Sequence, residues 1–186
     1  LCMAVTLLPV SALTAWAEGG GQLKIVDGYP VGSGDNHDRN CSGDGWSYDG
    51  TDKVLTLAPE NPTTYDLIDG GSIRQDQNSI LCSAIIEKYA TIVNGSFWNT
   101  VNSDSSITNY GTITSGGYDM PVVNHGTITG GKFRSAITNE SNGTIENGTF
   151  LSTVTNNGNI KGGIFSKKPD GGKVADGYTL NVESPD

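Results

Sequence analysis

The chain has 186 residues, and its 20 acidic and 11 basic side chains give a formal net charge of −9. This balance argues against a nucleic-acid-binding protein, because such proteins present basic surfaces to phosphates. It also argues against adhesion to anionic lipid by charge alone.

The first segment has the features of a secretory signal peptide. Residues 1–10 form an apolar run, and an A-x-A cleavage motif at 15–17 stands directly before Glu18. An initiator methionine and a basic region are absent, so we expect residues 1–17 to be part of such a peptide. The apolar run is shorter than the about 20 residues of a membrane span. We therefore expect a secreted, extracellular protein, with attachment to a cell wall left open.

A glycine- and aspartate-rich segment and a hairpin follow. Residues 18–45 predict a linker with at most one strand. Residues 46–57 predict a β-hairpin, because the turn-forming pair Asp49-Gly50 lies between strand-forming arms. We expect the hairpin to cap the repeats that follow, since an open sheet edge would recruit other chains. The rest of the segment 46–82 predicts one or two degenerate coils, because it keeps the composition of the repeats but not their spacing.

Two cysteines, Cys41 and Cys82, follow the cleavage motif. In an oxidising compartment two such residues can form a disulfide. A bridge closing a loop of about 40 residues would add roughly 3–4 kcal/mol of stability. Two free thiols are the alternative, and the sequence leaves both open.

Residues 83–168 contain five copies of one phrase, in which an isoleucine and an aromatic residue lie five positions apart. Side chains alternate along a strand, so two residues an odd number apart cannot both face inward on one straight strand. The chain must therefore turn between them, at the intervening glycine. The five pairs are Ile92 and Phe97, Ile113 and Tyr118, Ile128 and Phe133, Ile145 and Phe150, and Ile160 and Phe165.

A third apolar anchor precedes each pair, so that one copy makes three short sides, each with one large apolar residue. Each anchor lies four residues before the glycine position at which a copy of the phrase begins (positions 90, 111, 126, 143 and 158). The anchors are Ile86, Ile107, Val122, Ile137 (displaced by two residues) and Val154. The pattern predicts an all-β, single-stranded parallel β-solenoid (β-helix) of about five coils of 15–21 residues. Residues 169–186 predict a loop and a closing strand over 174–182. A disordered Asn/Gly/Ser/Thr tract is the alternative, and the handedness of the solenoid stays open.

Asparagines recur near the corner that precedes each isoleucine. We predict a structural role for Asn109, Asn124 and Asn156, because asparagine tolerates left-handed corners.

Several phrases together resemble a known group of proteins. Residues 154–165 read VTNNGNIKGGIF, residues 46–57 read WSYDGTDKVLTL, and residues 174–178 read VADGY. These phrases resemble secreted repeat proteins of Gram-positive gut bacteria, which carry tandem VTNxGTIxGGxF units followed by a VADGY segment. The resemblance implies a secreted or cell-surface β-solenoid. It is specific for architecture and carries no catalytic residue over to this chain.

The residue just before each glycine position suggests a binding surface. Tyr89, Tyr110 and His125 occupy this place in the first three copies, and Trp98 is a fourth aromatic candidate. Aromatic rings on a rigid face can stack on sugar rings, which makes these residues candidates for glycan contact. The alternative is a corner ladder that only stacks on itself.

Motifs for catalysis or metal binding are weak. The two histidines, His37 and His125, fall in unrelated settings, and no triad or zinc spacing is present. The acidic run within 35–52 lacks the alternating spacing of a calcium loop. We therefore expect no metal and no cofactor. Asp104 and Asp119 form a possible carboxylate pair for a carbohydrate-active enzyme, with loop solubility as the simpler reading.

Flat threonine arrays also serve ice binding, but charges at Glu146 and Lys161 would interrupt one here. We predict a non-catalytic, secreted or cell-surface structural or interaction module of a bacterium, comparable to an adhesin stalk. A glycan-binding module is the first alternative, and a carbohydrate-active β-helix lyase or hydrolase is the second. The expected partner is a glycan or a surface protein of host or bacterium, and the oligomeric state stays open.

Overall fold

A computed structural model of the chain describes residues 21–26, 29–32, 38–69, 82–98, 105–171, 173–174 and 181–182. This part of the chain consists of short strands joined by turns. Its residues include no helix long and apolar enough to cross a membrane. The expected signal peptide, residues 1–17, lies outside the described residues.

In the described part of the chain, six strands precede the repeats. They are β1 (Gly21–Val26), β2 (Tyr29–Pro30), β3 (Cys41–Gly43), β4 (Trp46–Asp49), β5 (Val54–Leu57) and β6 (Thr63–Asp69).

The repeats form five coils in the described residues, and each coil has three short strands. Coil 1 contains β7 (Ser83–Ile86), β8 (Ala90–Asn94) and β9 (Ser96–Phe97); coil 2 contains β10 (Ile107–Asn109), β11 (Thr112–Ile113) and β12 (Gly117–Tyr118); coil 3 contains β13 (Val122–Asn124), β14 (Thr127–Ile128) and β15 (Lys132–Phe133); coil 4 contains β16 (Ile137–Asn139), β17 (Thr144–Ile145) and β18 (Thr149–Phe150); coil 5 contains β19 (Val154–Asn156), β20 (Asn159–Ile160) and β21 (Ile164–Phe165).

Equivalent strands of successive coils pair in parallel and build three sheets. The first strand of each coil lies in sheet B, the second in sheet A and the third in sheet C. The pairing is in register, so that Ile113 lies beside Ile128 and Phe133 beside Phe150. This arrangement confirms the predicted parallel β-solenoid.

Three buried columns run through the solenoid, one behind each sheet. The isoleucines behind sheet A are at most 1% exposed, and so are the five aromatic residues behind sheet C. Successive aromatic rings stack with centroids 4.7 to 5.5 Å apart. Behind sheet B lie Ile107, Val122, Ile137 and Val154. One coil cannot bury its own apolar side, so the stack stabilises all of its members together.

The prediction for the third column was wrong in coil 1. The register pairs Ile107 with Ala84, whereas Ile86 pairs with Asn109. Counting four residues back from the glycine position gives Ile86. The turn from sheet B to sheet A is two residues longer in this coil than in coil 2, so this count selects the wrong residue. Ala84 therefore continues the apolar column behind sheet B.

Glycine at the turn between sheets A and C allows the predicted change of direction. Gly131 has φ of +107°, and the equivalent glycines of coils 2, 4 and 5 have φ between +113° and +137°. Residues with a Cβ rarely adopt this conformation, whereas glycine does so without steric cost. This turn lets the isoleucine and the aromatic residue, five positions apart, both face inward, as predicted.

The N-terminal part of the chain extends two of the sheets. Strands β4 and β5 form the predicted antiparallel hairpin, and β5 pairs in parallel with β7, so the hairpin caps sheet B. Strand β6 pairs with β8 and β1 pairs with β6, both in parallel, within sheet A. The prediction of a linker with at most one strand in 18–45 was wrong, because β1, β2 and β3 all pair there. Residues 70–81, within the predicted degenerate coils, lie outside the described residues.

The C-terminal part adds a partial coil in place of the single closing strand that we predicted. Asp170 bridges to Thr155 beside sheet B. Strands β22 (Lys173–Val174) and β23 (Asn181–Val182) then pair with β20 in sheet A and with β21 in sheet C. The chain thus pairs once more with each of the three strands of coil 5.

Candidate functional site

The turn from sheet B to sheet A, which we call the B–A corner, separates neighbouring residues onto opposite sides of the backbone. In coil 2, Asn109 is fully buried and Tyr110 is exposed. In coil 3, Asn124 is fully buried and His125 is partly exposed. The inner and outer residues of this corner form two separate ladders along the solenoid.

The inner ladder consists of asparagine amides. The Nδ2 of Asn109 donates to the Oδ1 of Asn124, the Nδ2 of Asn124 donates to the Oδ1 of Asn139, and the Nδ2 of Asn139 donates to the Oδ1 of Asn156, each at 2.7 Å. At the start of the ladder, the Oδ1 of Asn109 accepts a hydrogen bond from the backbone N–H of Gly111 at 3.2 Å. The buried amides are therefore joined from coil to coil, which avoids the cost of unpaired polar groups in the interior.

The predicted reason for these asparagines was wrong, although the structural role is confirmed. Among the described residues, Lys53 is the one non-glycine residue with a positive φ. The asparagines consequently do not supply left-handed corners. They are retained inside the solenoid by side-chain hydrogen bonds between coils.

The outer ladder contains the candidate glycan-contact residues Tyr110 and His125. Their rings are stacked, with centroids 4.8 Å apart and planes at 13°. The His125 ring continues toward coil 4, where its Nδ1 lies 3.3 Å from the Oδ1 of Asn142. Tyr110 remains 44% exposed. The rings therefore stack on each other, as the self-stacking alternative proposes, and still present their edges to solvent.

Tyr89 belongs to the same corner but stands apart from the ring stack. In coil 2 this corner has two residues, between Asn109 and Thr112. In coil 1 it has four, between Ile86 and Thr91, which pair with Asn109 and Thr112. No stacked pair among the described rings joins Tyr89 to Tyr110. The Nζ of Lys88 instead lies 5.0 Å from the centroid of the Tyr89 ring, and Tyr89 is 43% exposed.

Trp98 is 47% exposed but lies on a different corner. It follows β9, at the turn from sheet C back to sheet B, where the register places it in one column with Asp119 of coil 2 and then Arg134 of coil 3. The structure therefore brings together Tyr110 and His125, places Tyr89 on the same corner, and leaves Trp98 on another side of the solenoid.

A column of threonines runs beside the outer ladder on the outward face of sheet A. Thr91, Thr112, Thr127 and Thr144 stack in register, and Asn159 continues the column in coil 5. Each of them follows the outer corner residue of its coil by two positions. All members of the outer ladder and of this column are at least partly exposed, so both sets border solvent at this corner.

Of the two carboxylates considered for catalysis, the structure describes only Asp119. Asp119 accepts a hydrogen bond from the Nη1 of Arg134 in the next coil, at 3.0 Å, and Asp104 lies outside the described residues. Glu146 pairs in the same way with Lys161, at 2.8 Å. No group of three or more potential metal ligands occurs among the described residues. His37, named in the sequence analysis, lies outside them.

Cys41 and Cys82 are free thiols in the structure. In the order of sheet B, β4 and β5 lie between β3, which contains Cys41, and β7, which follows Cys82. Cys82 is fully buried, and this burial raises the pKa of its thiol to about 12. Because the thiolate is the nucleophile, such a thiol reacts slowly. The disulfide stays a prediction for the protein in an oxidising compartment.

Sequence reasoning missed Asn139 and the full length of the threonine column. Counting one place back from the corner residue of coil 4 gives Ser141, because this corner is two residues longer than those of coils 2, 3 and 5. Strand register gives the correct match, since Asn139 pairs with Asn124 and with Asn156. The phrase ITN in both β10 and β16 is the sequence signal that identifies it.

The geometry therefore offers one extended outward surface and no assembled catalytic group among the described residues. No family model, curated protein or solved structure matches this chain.

Proposed function

We propose that this protein is a non-catalytic structural or interaction module, secreted or held on a cell surface. The observation that carries the proposal is the unbroken, in-register stack of coils around buried columns. A stack of this kind resists bending, because each coil is hydrogen-bonded to its neighbours on three sides. Such a solenoid suits a stalk that holds other surfaces at a fixed distance and orientation.

Contacts between coils on the outside support the same role. Arg134 of coil 3 pairs with Asp119 of coil 2, and Lys161 of coil 5 pairs with Glu146 of coil 4. Exposed ion pairs contribute at most about 1 kcal/mol each, so they adjust the outer surface while the columns and the asparagine ladder provide the stability.

The location rests on sequence features. The signal-peptide pattern in 1–17 and the resemblance to secreted repeat proteins of Gram-positive gut bacteria support a secreted or cell-surface module in such an organism. The test is expression of the complete reading frame in a Gram-positive host, followed by cell fractionation and N-terminal sequencing. We expect a mature chain that begins at Glu18 and is either released into the medium or accessible to protease on intact cells. Retention of an uncleaved chain in the cytoplasm would contradict the location.

A second candidate function is glycan binding at the B–A corner. The stacked, exposed pair Tyr110 and His125 favours it, because aromatic rings on a rigid support contact sugars with little loss of conformational freedom. Binding to immobilised polysaccharides that is weakened by Tyr110→Ala, and not by Trp98→Ala, would support this function.

A carbohydrate-active enzyme has less support. Acid–base cleavage of glycosidic bonds needs two cooperating carboxyl groups, and the carboxylate of Asp119 is engaged by Arg134. The discriminating measurement is the release of reducing or unsaturated sugars from plant and host polysaccharides. We expect none. Release that is abolished by Asp119→Asn would overturn the non-catalytic function.

A further inference from the structure

We propose that the B–A corner binds an extended, uncharged polysaccharide chain that lies along the solenoid axis. The binding surface, which we call the corner strip, consists of the five outer corner residues and the five residues of the adjacent column on sheet A. Its members are Tyr89, Tyr110, His125, Asn142 and Asn157, with Thr91, Thr112, Thr127, Thr144 and Asn159. This inference rests on the second function proposed above and assigns its ligand class and orientation.

The sheet A column of the corner strip is linear and regular, whereas the corners of coils 1 and 4 are two residues longer than the others. This column is fixed by backbone pairing from β8 through β20. Strands in a sheet lie about 4.8 Å apart, so five coils extend over about 19 Å. A polymer that runs along the axis would meet one member of this column at every coil, whereas a single sugar would meet only one or two.

The hydroxyl groups of the corner strip are available to a ligand. In the neighbouring column, Thr114 and Thr129 donate their hydroxyls to the carbonyls of Ile92 and Ile113 in the preceding coil. The strip threonines have no such partner within the described part of the chain. Their hydroxyls can therefore donate to and accept from sugar hydroxyls, which replaces hydrogen bonds to water at little cost.

The ring stack determines how a sugar approaches. Because Tyr110 and His125 cover each other's facing sides at 4.8 Å, no sugar fits between them. A ligand can contact the edges of both rings and the side of Tyr110 that faces coil 1, on which no described ring stacks. This geometry favours a chain lying across several coils over a monosaccharide held between two rings.

The charge distribution selects an uncharged polymer. None of the strip positions is an acidic residue, a lysine or an arginine, in a chain of net charge −9. Glu146 and Lys161, in the next column of sheet A, neutralise each other at 2.8 Å. An acidic polysaccharide would be repelled by the overall charge and would find no cluster of cations on the strip, whereas a neutral one meets neither obstacle.

The test uses the complete mature chain and two sets of probes. Affinity electrophoresis in gels containing a neutral β-glucan, xylan or mannan is compared with gels containing polygalacturonate or hyaluronate. Calorimetry with the retained neutral glycan then follows oligosaccharides of two to six units. We expect retention by a neutral polymer alone and an affinity that rises with chain length.

Matched variants locate the binding. Tyr110→Ala should weaken binding about tenfold, as expected for the loss of one aromatic contact, and Thr127→Val should weaken it about threefold through one lost hydrogen bond. Thr138→Val on the outward face of sheet B and Trp98→Ala should each stay within about twofold of the wild type. All of these positions are at least partly exposed, so circular dichroism is expected to be unchanged.

The outcomes distinguish binding along the corner strip from glycan binding in general. Length-dependent binding that is reduced by the strip variants supports the proposal. Neutral-glycan binding that is insensitive to Tyr110→Ala and Thr127→Val, or equal for two and six units, overturns the strip while leaving glycan binding as a function. Retention by the acidic polymers alone overturns the uncharged ligand of the strip while leaving glycan binding as a function, and absence of binding to every polymer, neutral or acidic, overturns both.

Discussion

The inner and outer ladders of the B–A corner consist of adjacent residues, but the inner one joins the coils and the outer one faces solvent. Asn109 and Asn124 join coils through buried amides at 2.7 Å, whereas Tyr110 and His125 stack in solvent at 4.8 Å. Removing an inner amide leaves buried polar groups unpaired, and removing an outer ring exposes nothing that needs a partner. The buried amides therefore help to fix the register from coil to coil, which leaves the outer residues free to serve binding.

Coil 1 shows where the inner ladder ends. Ile86 takes the position that Asn109 holds in coil 2, so coil 1 contributes an apolar side chain in place of an amide. On its other side Ile86 pairs with Leu57 of the capping hairpin. The N-terminal end of the solenoid is therefore held by apolar packing, and the asparagine ladder belongs to coils 2 to 5.

The largest difference between inside and outside is expected for a buried charge. Ile128→Asp places an unpaired carboxylate in the fully buried column behind sheet A and should cost about 3–5 kcal/mol or more. Thr138→Asp, on the outward face of sheet B, should change the free energy of unfolding by less than about 0.5 kcal/mol. Denaturant unfolding of both variants measures the difference, and equal losses would contradict the inward and outward assignment.

Breaking the asparagine ladder should have the next largest effect. Asn124→Leu removes two 2.7 Å hydrogen bonds and leaves the amides of Asn109 and Asn139 without those partners. We expect a loss of about 2–4 kcal/mol, since an unpaired buried group costs about 1–3 kcal/mol. Asn157→Ala, at the exposed outer position of coil 5, is the control. A ladder variant as stable as this control would show that the amides do not hold the coils together.

Replacing a glycine at the turn between sheets A and C should cost less stability than breaking the asparagine ladder, and only at a position with a positive φ. Gly131→Ala forces a Cβ onto a residue with φ of +107° and brings it within 3.1 Å of the Tyr118 ring, at a cost of about 1–3 kcal/mol. Gly117→Ala meets its neighbours at 3.7 Å or more and does not have a positive φ. Thermal unfolding should separate the two variants clearly, and a more stable Gly131→Ala would refute the assigned turn.

The smallest effect depends on pH. Burial raises the pKa of Tyr118 above its ordinary value of 10.0, so the folded state holds this proton more tightly than the unfolded chain does. The resulting stabilisation is present below about pH 10 and is lost as the pH rises further. Tyr118→Phe matches the other coils of the column and removes only the hydroxyl that donates to the Ser115 carbonyl. Its stability relative to the wild type should improve between pH 9 and 11, and parallel curves would contradict this.

Repeat spacing was sufficient to predict the fold of the central coils. If an isoleucine and an aromatic residue five positions apart both face inward, the chain must turn between them, and glycine permits that turn. The structure has this turn after each of Ile92, Ile113, Ile128, Ile145 and Ile160. The capping hairpin was predictable for a similar reason, since Asp49-Gly50 joins two strand-forming arms.

Other features depend on pairing between distant residues, which local patterns do not contain. Strand β1 forms because its backbone pairs with β6, for example Gly21 with Tyr65, and no spacing within 18–45 indicates this partner. Ala84, and not Ile86, lies in the apolar column behind sheet B, because the B–A corner of coil 1 is two residues longer than that of coil 2. Asn139 was overlooked for the same reason, because the B–A corner of coil 4 is also two residues longer. Of the candidate site, the sequence identified Tyr89, Tyr110 and His125 but could not separate Trp98 from them, since corners become distinct only when the coil is closed.

Side-chain amide NMR of Asn124 tests most directly whether the coils stack around the asparagine ladder. If the coils stack as described, the Nδ2 protons of Asn124 exchange slowly with solvent and show cross-peaks to the amide groups of Asn109 and Asn139. Exchange at the rate of a free asparagine, without these cross-peaks, would contradict the stacked solenoid and every proposal built on its outer surface.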